Sequence, residues 1–145
     1  MLACDIIYLA DSAKLTMAYT AAGLTPDASS TYFLPRMIGS QRAMEMALTN
    51  RRLTAEEALD WGLVNKVLLA EEVLPEAQKL AAQLAAGPTL AYGGVKKLMR
   101  TSFDQSLETQ MEDESQSIVA MTYTADVKEG IEAFLNKRKP EFKGK

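Results

Sequence analysis

Apolar residues fall in two short, strand-like runs near the N-terminus and then recur at helical spacing almost to the end of the chain. Asp5-Ile6-Ile7-Tyr8-Leu9-Ala10 reads as a short buried strand. After an Asp11-Ser12 turn, residues 13–19 read as a second strand with Leu15 and Met17 on one side. Two short strands are marginal by themselves, so one edge is expected to be covered by something else.

From Ser29 onward the pattern turns helical. Ser29 or Ser30 is placed to cap a short helix through Tyr32, Phe33 and Leu34 to Ile38, with a kink or break at Pro35 and a stop at Gly39. Ser40 is expected to cap the next helix, whose apolar positions are Ala43, Met44, Ala47 and Leu48, and Thr49-Asn50-Arg51 closes it. Thr54 and Glu57 have the spacing of a capping box, each side chain reaching the other's backbone amide. Gly62 stops that helix after Trp61, and residues 63–68 read as a third short strand. Further helices are expected over 71–86, 89–100, from Ser102 to about Tyr123, and over 125–136. Gly93-Gly94 weakens the second of these by about 1 kcal/mol per glycine.

Composition narrows the chemistry. The chain has 145 residues, a formal net charge of −3, one cysteine and no histidine. Its length suits a single domain with a real core, and its acidity gives no electrostatic case for nucleic acid. No run is apolar enough to span a membrane, and no signal-like N-terminal pattern is present, so a cytoplasmic protein is expected. The lone Cys4 allows no internal disulfide and fits a reducing compartment. Without histidine and with one cysteine, neither a zinc site nor a histidine-based triad is expected.

The residues with candidate chemistry are few. The loop Thr20-Ala21-Ala22-Gly23-Leu24-Thr25-Pro26-Asp27 places one carboxylate among small residues, where a backbone can approach a ligand closely. By spacing alone, Asp27 is either a helix cap or a reagent. Tyr19 is a packing residue or a neighbour of Asp27, and Ser29 and Ser30 lack a base that would make either a nucleophile. Glu112-Asp113-Glu114 reads as a solvated helix face. Met44, Met46, Met99, Met111 and Met121 read as core or interface filler, Cys4 as a buried, inert thiol, and Trp61 as packing against the strand that follows it.

Several short motifs then line up in order. They are residues 3–10, Gly23-Leu24-Thr25-Pro26-Asp27 with Leu34-Pro35-Arg36-Met37-Ile38-Gly39, and Leu48-Thr49-Asn50-Arg51 through Ala55-Glu56-Glu57-Ala58 to Trp61-Gly62-Leu63-Val64. With Glu129-Gly130-Ile131-Glu132-Ala133-Phe134 and Lys137-Arg138-Lys139-Pro140, they resemble the C-terminal part of the enoyl-CoA hydratase/isomerase (crotonase) family. The resemblance implies a spiral of strand-strand-helix turns followed by oligomerising helices. It also implies a site where two backbone amides polarise an acyl-CoA thioester carbonyl, both from loops upstream of Ala3-Cys4-Asp5. The hydratases' first acid likewise falls before Met1, and their second aligns at Tyr19, which cannot act as a carboxylate base. Asp27 resembles instead the aspartate of the isomerase and dehalogenase branches, a proton shuttle or nucleophile.

The resemblance therefore implies Asp27 as the catalytic residue, Tyr19, Gly23 and Pro26 as substrate-binding, and Phe134 and Lys137 as contacts to the adenine and phosphate of CoA bound to a neighbouring subunit. It implies no metal and no cofactor beyond the coenzyme A of the substrate. The fold expected is α/β, a truncated crotonase-like spiral with two or three short N-terminal strands before a mainly helical C-terminal portion. Residues 1–68 would be the remnant of the spiral core and residues 69–145 the helical oligomerisation region. Expected partners are an acyl-CoA, further copies of the chain in a trimer or dimer of trimers, and a chain carrying the N-terminal half. Two functions follow from it: double-bond or ring isomerisation of an acyl-CoA through an enolate, or a non-catalytic oligomerising module without the oxyanion-hole half.

Overall fold

The computed structural model describes residues 1–145, a mixed α/β chain of four very short strands and seven helices. By their internal contacts these residues form two compact units, Met1–Ala77 and Gln78–Lys145.

In the first unit, β1 (Tyr8–Ala10) pairs in parallel with β4 (Lys66–Leu68), and β2 (Lys14–Leu15) pairs antiparallel with β3 (Leu53–Thr54). The three strands expected from the apolar runs are shorter than those runs suggest, and β3 is an addition to them. The first strand begins only at Tyr8, because Asn65 takes over the backbone of Ile7. Its Oδ1 accepts from the Ile7 amide at 2.7 Å, and its own amide donates to the Ile7 carbonyl at 2.8 Å. Cys4 consequently lies outside any strand and is exposed rather than buried. The second strand ends at Leu15, since the Thr16 hydroxyl turns away to the Asn50 carbonyl at 3.2 Å.

Helix α3 (Ala55–Asp60) packs against β2, β3 and β4, and α1 (Ser30–Ile38) and α2 (Ser40–Thr49) pack against each other. Leu34, Ile38, Met46, Leu53, Ala58 and Leu63 form the centre of the core. Pro35 sits inside α1 without ending it, and Gly39 separates the two helices at φ 81°. Ser40 is the first residue of α2 rather than its cap. The Thr54–Glu57 capping box is present in both directions, with amide contacts of 2.9 and 3.2 Å. Gly62, at φ 74°, ends α3 in the left-handed conformation that glycine adopts without penalty. Trp61 is half-buried against the core, with the guanidinium groups of Arg42 and Arg51 4.8 and 5.0 Å from its ring centre. Arg51 also pairs with Glu45 at 3.1 Å and with Glu57. Helix α4 (Ala70–Ala85), with Pro75 inside it, begins in the first unit and ends in the second.

The second unit holds α5 (Thr89–Thr101), α6 (Leu107–Thr122) and α7 (Ala125–Leu135). Ser106 rather than Ser102 caps α6, its hydroxyl accepting from the Thr109 amide at 3.2 Å, while Ser102 closes α5. Of the glycine pair inside α5, Gly94 has a packing reason, whereas a Cβ on Gly93 would meet open space. A Cβ on Gly94 would lie 3.2 Å from the Ser117 hydroxyl of α6, so glycine permits this close approach. Asp126 is buried, and its carboxylate accepts from the amides of Lys143 and Gly144 at 2.7 and 2.9 Å, pinning the C-terminal segment onto α7. Phe142 then lies against Gly130 and lines an open apolar groove of about 320 Å³ with Leu90, Met121, Val127 and Ile131. Of the methionines read as filler, Met46 is buried, whereas Met44, Met99 and Met111 are exposed.

Candidate functional site

The carboxylate loop is assembled from a chain reversal and two unusual backbone conformations. Tyr19 starts a single 3-10 turn, Thr20–Ala22, and its carbonyl accepts from the amides of Ala22 and Leu24, both at 3.0 Å. Gly23 completes the turn at φ 71°, a conformation that costs a residue with a Cβ roughly 1–2 kcal/mol. The chain then runs without regular structure to Pro26, which is half-buried, and to Asp27. Ala28 and Ser29 follow at φ 49° and 63°, two successive left-handed residues without the glycine such geometry favours.

This reversal brings the phenol of Tyr19 to Asp27. The Tyr19 hydroxyl donates to Asp27 Oδ1 at 2.7 Å. That hydrogen bond to a carboxylate, reinforced by the carboxylate's negative charge, raises the Tyr19 pKa above its ordinary value of 10.0. Tyr19 therefore keeps its proton at neutral pH and remains a donor. Asp27 is exposed, as are Gly23, Leu24 and Thr25 before it.

Asp27 does not cap α1. The residue flanking that helix is Ser29, which makes no side-chain cap bond. The expected serine cap is replaced by a reversed contact, in which the buried Ser30 donates its hydroxyl and its amide to the Asp27 carbonyl at 2.7 and 3.0 Å. Ser30 thus fixes the backbone of Asp27 and leaves its carboxylate to Tyr19.

Of the residues singled out in the sequence, Tyr19, Gly23, Pro26 and Asp27 fall in this one loop. Phe134 and Lys137 lie in the other unit, at and just beyond the C-terminal end of α7. Phe134 is 83% exposed, and Lys137 leaves the helix in a left-handed turn at φ 52°. The acidic run of α6 makes local bonds: Asp113 accepts from Gln105 at 3.0 Å and Glu112 from Gln116 at 2.8 Å.

One contributor escapes a reading by motif. Asn50 closes α2 at φ 54°, and its Oδ1 accepts from the Thr20 hydroxyl at 3.1 Å and from the Ala21 amide at 3.2 Å. Its helix-ending position was legible, but its contacts with a turn 30 residues upstream carry no local signal.

Residues 1–145 match the family model described as enoyl-CoA hydratase/isomerase. The chain belongs to the enoyl-CoA hydratase/isomerase family. It is 40% identical to the 1,2-epoxyphenylacetyl-CoA isomerase of Escherichia coli over 141 residues, covering 97% of this chain and 54% of that protein. It is 38% identical to 4-chlorobenzoyl coenzyme A dehalogenase-1 of Arthrobacter sp. over 119 residues, 82% of this chain and 43% of that one. Among solved structures it superposes on an enoyl-CoA hydratase from Bacillus anthracis with a TM-score of 0.93 at 35% identity, covering 99% of this chain and 56% of that chain. This crotonase-family chain thus spans about half the length of the relatives it matches. No helix in it is long and apolar enough to cross a membrane.

Proposed function

We propose that this crotonase-family protein isomerises an acyl-CoA thioester, with Asp27 moving a proton between two carbons of the acyl group. The observation that carries this reading is the 2.7 Å bond from the Tyr19 hydroxyl to Asp27 Oδ1. It engages one carboxylate oxygen by a neutral donor, and Oδ2 takes no part in it. Support also comes from the similarity to a 1,2-epoxyphenylacetyl-CoA isomerase and a 4-chlorobenzoyl-CoA dehalogenase, which favours the aspartate-bearing branch.

The chemistry is a proton shuttle. The Asp27 carboxylate takes a proton from a carbon conjugated with the thioester carbonyl, and the C–H electron pair moves into an enolate with its charge on the thioester oxygen. The resulting carboxylic acid returns the proton to a different carbon of the same system, so the double bond shifts with no net gain of atoms. A carboxylate so placed contributes about 10²–10⁴-fold. Tyr19 holds the carboxylate while Gly23 and Pro26 line the acyl chain. Phe134 and Lys137 meet the adenine and phosphate of a CoA bound to a neighbouring copy of the chain, the coenzyme being part of the substrate. The single cysteine fits a cytoplasmic location.

Self-association belongs to the same reading. Leu107, Met111 and Ile118 on α6 are 71%, 60% and 68% exposed, apolar area that further copies of the chain would cover. That observation also favours a second function, a module whose role is assembly alone.

Deuterium uptake from D2O into an enoyl-CoA separates the two. The protein is expected to catalyse exchange, and Asp27→Asn to lose it by about 10²–10⁴-fold while still binding the thioester. Exchange by Asp27→Asn at the parent rate overturns the isomerase reading, and association without any exchange favours the assembly module.

A further inference from the structure

We infer that Asn50 is a positioning residue for the Tyr19–Asp27 pair, acting through the turn that follows Tyr19. Four contacts converge on the end of α2. Asn50 Oδ1 accepts from the Ala21 amide at 3.2 Å and lies 3.1 Å from the Thr20 hydroxyl, whose one proton it shares with a backbone carbonyl. The Asn50 carbonyl accepts from the Thr16 hydroxyl at 3.2 Å. The Thr20 hydroxyl also lies 2.7 Å from the Ala47 carbonyl, one helical turn before Asn50. The segment from Thr16 to Ala21 is thus tied at both ends to one residue, and Tyr19 lies between the ties.

The geometry explains why asparagine suits this position. The backbone at φ 54° is left-handed, where glycine is easiest and asparagine the best-tolerated residue with a side chain. Glycine would end α2 equally well but would offer no acceptor to Thr20 and Ala21. A single 3-10 turn such as Thr20–Ala22 has too few bonds of its own to hold a fixed direction. An acceptor supplied from α2, itself packed in the core through Ala43 and Met46, couples that turn to the rigid part of the unit. The Tyr19 hydroxyl then meets Asp27 without a search over loop conformers. This assignment rests on the reading of Asp27 given above, yet its test does not use turnover.

Two substitutions separate helix capping from positioning. Asn50→Gly keeps the left-handed helix end and removes the acceptor, whereas Asn50→Asp keeps an acceptor oxygen in place. Two measurements follow the full chain: amide hydrogen exchange at Ala21, and the titration of Tyr19 by NMR of ¹³Cζ-tyrosine, its signal assigned with Tyr19→Phe. In Asn50→Gly the Ala21 amide is expected to exchange at least tenfold faster, and the Tyr19 titration to fall toward that of ordinary tyrosine. Asn50→Asp is expected to retain both parent values. Unchanged Ala21 exchange and Tyr19 titration in Asn50→Gly overturn the assignment, as does an equal loss in both variants. Faster Ala21 exchange with no movement of Tyr19 also overturns it, by showing that the turn does not direct the phenol. If Asn50→Gly behaves as expected but Asp27→Asn leaves deuterium uptake intact, Asn50 keeps its positioning role and the proposed chemistry alone fails.

Discussion

The guanidinium of Arg138 grips both carboxylate oxygens of Glu129, Nη1 to Oε1 at 2.5 Å and Nη2 to Oε2 at 2.8 Å. The Glu141 amide adds a third donor to Oε1 at 2.8 Å. Arg138 in turn follows α7 directly, its amide bonded to the Ala133 carbonyl at 3.0 Å. The pair thus fastens the basic C-terminal segment back along α7, next to the pinning of Lys143 and Gly144 by Asp126.

The side-chain bonds from Arg138 and the amide bond from Glu141 hold the Glu129 carboxyl at about 2, down from an ordinary 4.5. A depressed carboxyl stabilises the fold above its unfolded pKa and loses that contribution as pH falls through the folded value. The contribution is therefore complete above about pH 5 and disappears between there and about pH 2. Thermal melts from pH 7 to pH 2 are expected to show Glu129→Gln less stable than the parent at pH 7, with the two curves converging in acid. A gap that stays constant down to pH 2 would show that the pair is not responsible.

Thr54 gives a test of local design. Its hydroxyl accepts from the Glu57 amide, while the Glu57 carboxylate accepts from the Thr54 amide, which together with Arg51 lowers the Glu57 pKa. Thr54→Ala removes the hydroxyl half and is expected to cost about 1 kcal/mol in chemical denaturation. Thr54→Ser should restore most of it. An alanine variant as stable as the parent would mean that α3 is held by its packing alone.

Legibility of the fold follows the sequence range of the contacts that set each element. The capping box, the helix stop at Gly62 and the close of α2 at residues 49–51 are set by residues within a few positions of one another, and the structure reproduces each. Strand extents depend on distant partners. β3 is two residues, Leu53 and Thr54, that read as a helix entrance; their pairing with Lys14 and Leu15 comes from the fold. The apolar run predicts a strand from Asp5, but the side chain of Asn65, 58 residues away, claims the Ile7 amide. The same division applies to the site. The carboxylate loop was visible in the run of small residues around Asp27. The Tyr19–Asp27 bond was open as one of two readings, because packing and pairing look alike in sequence. Ser30, read as a cap acceptor, proved to be a donor to the Asp27 carbonyl, since the two residues before it are left-handed and swing its side chain backward.

Leu53 tests the core that supports the loop. Its side chain is fully buried among Met46, Ala58 and Leu63, and its backbone pairs with Leu15. Leu53→Ala is expected to destabilise the chain by roughly 2–5 kcal/mol through lost burial and the cavity left behind. Leu53→Met, close in volume, should cost less than about 1.5 kcal/mol. Equal losses from the two substitutions would argue against a close-packed environment at this position.

Ala28 is the sharpest place to ask whether the carboxylate loop stores strain. It takes φ 49° with Ser29 at φ 63° directly after it, and neither has glycine's freedom there. A left-handed residue with a Cβ carries about 1–2 kcal/mol of steric cost, and glycine avoids it while adding about 0.4–1 kcal/mol of entropy to the unfolded chain. The difference favours glycine, so Ala28→Gly is expected to raise stability by about 0.5–1 kcal/mol in denaturant titration. The Ser30 hydroxyl and amide still hold the Asp27 carbonyl in that variant, so the Tyr19 titration should keep its parent value. A stability gain accompanied by a fall in the Tyr19 titration would show that the Ala28 methyl group, rather than Ser30, aims Asp27 at the phenol. A loss of stability would show that the left-handed pair is relaxed by its surroundings and stores no strain.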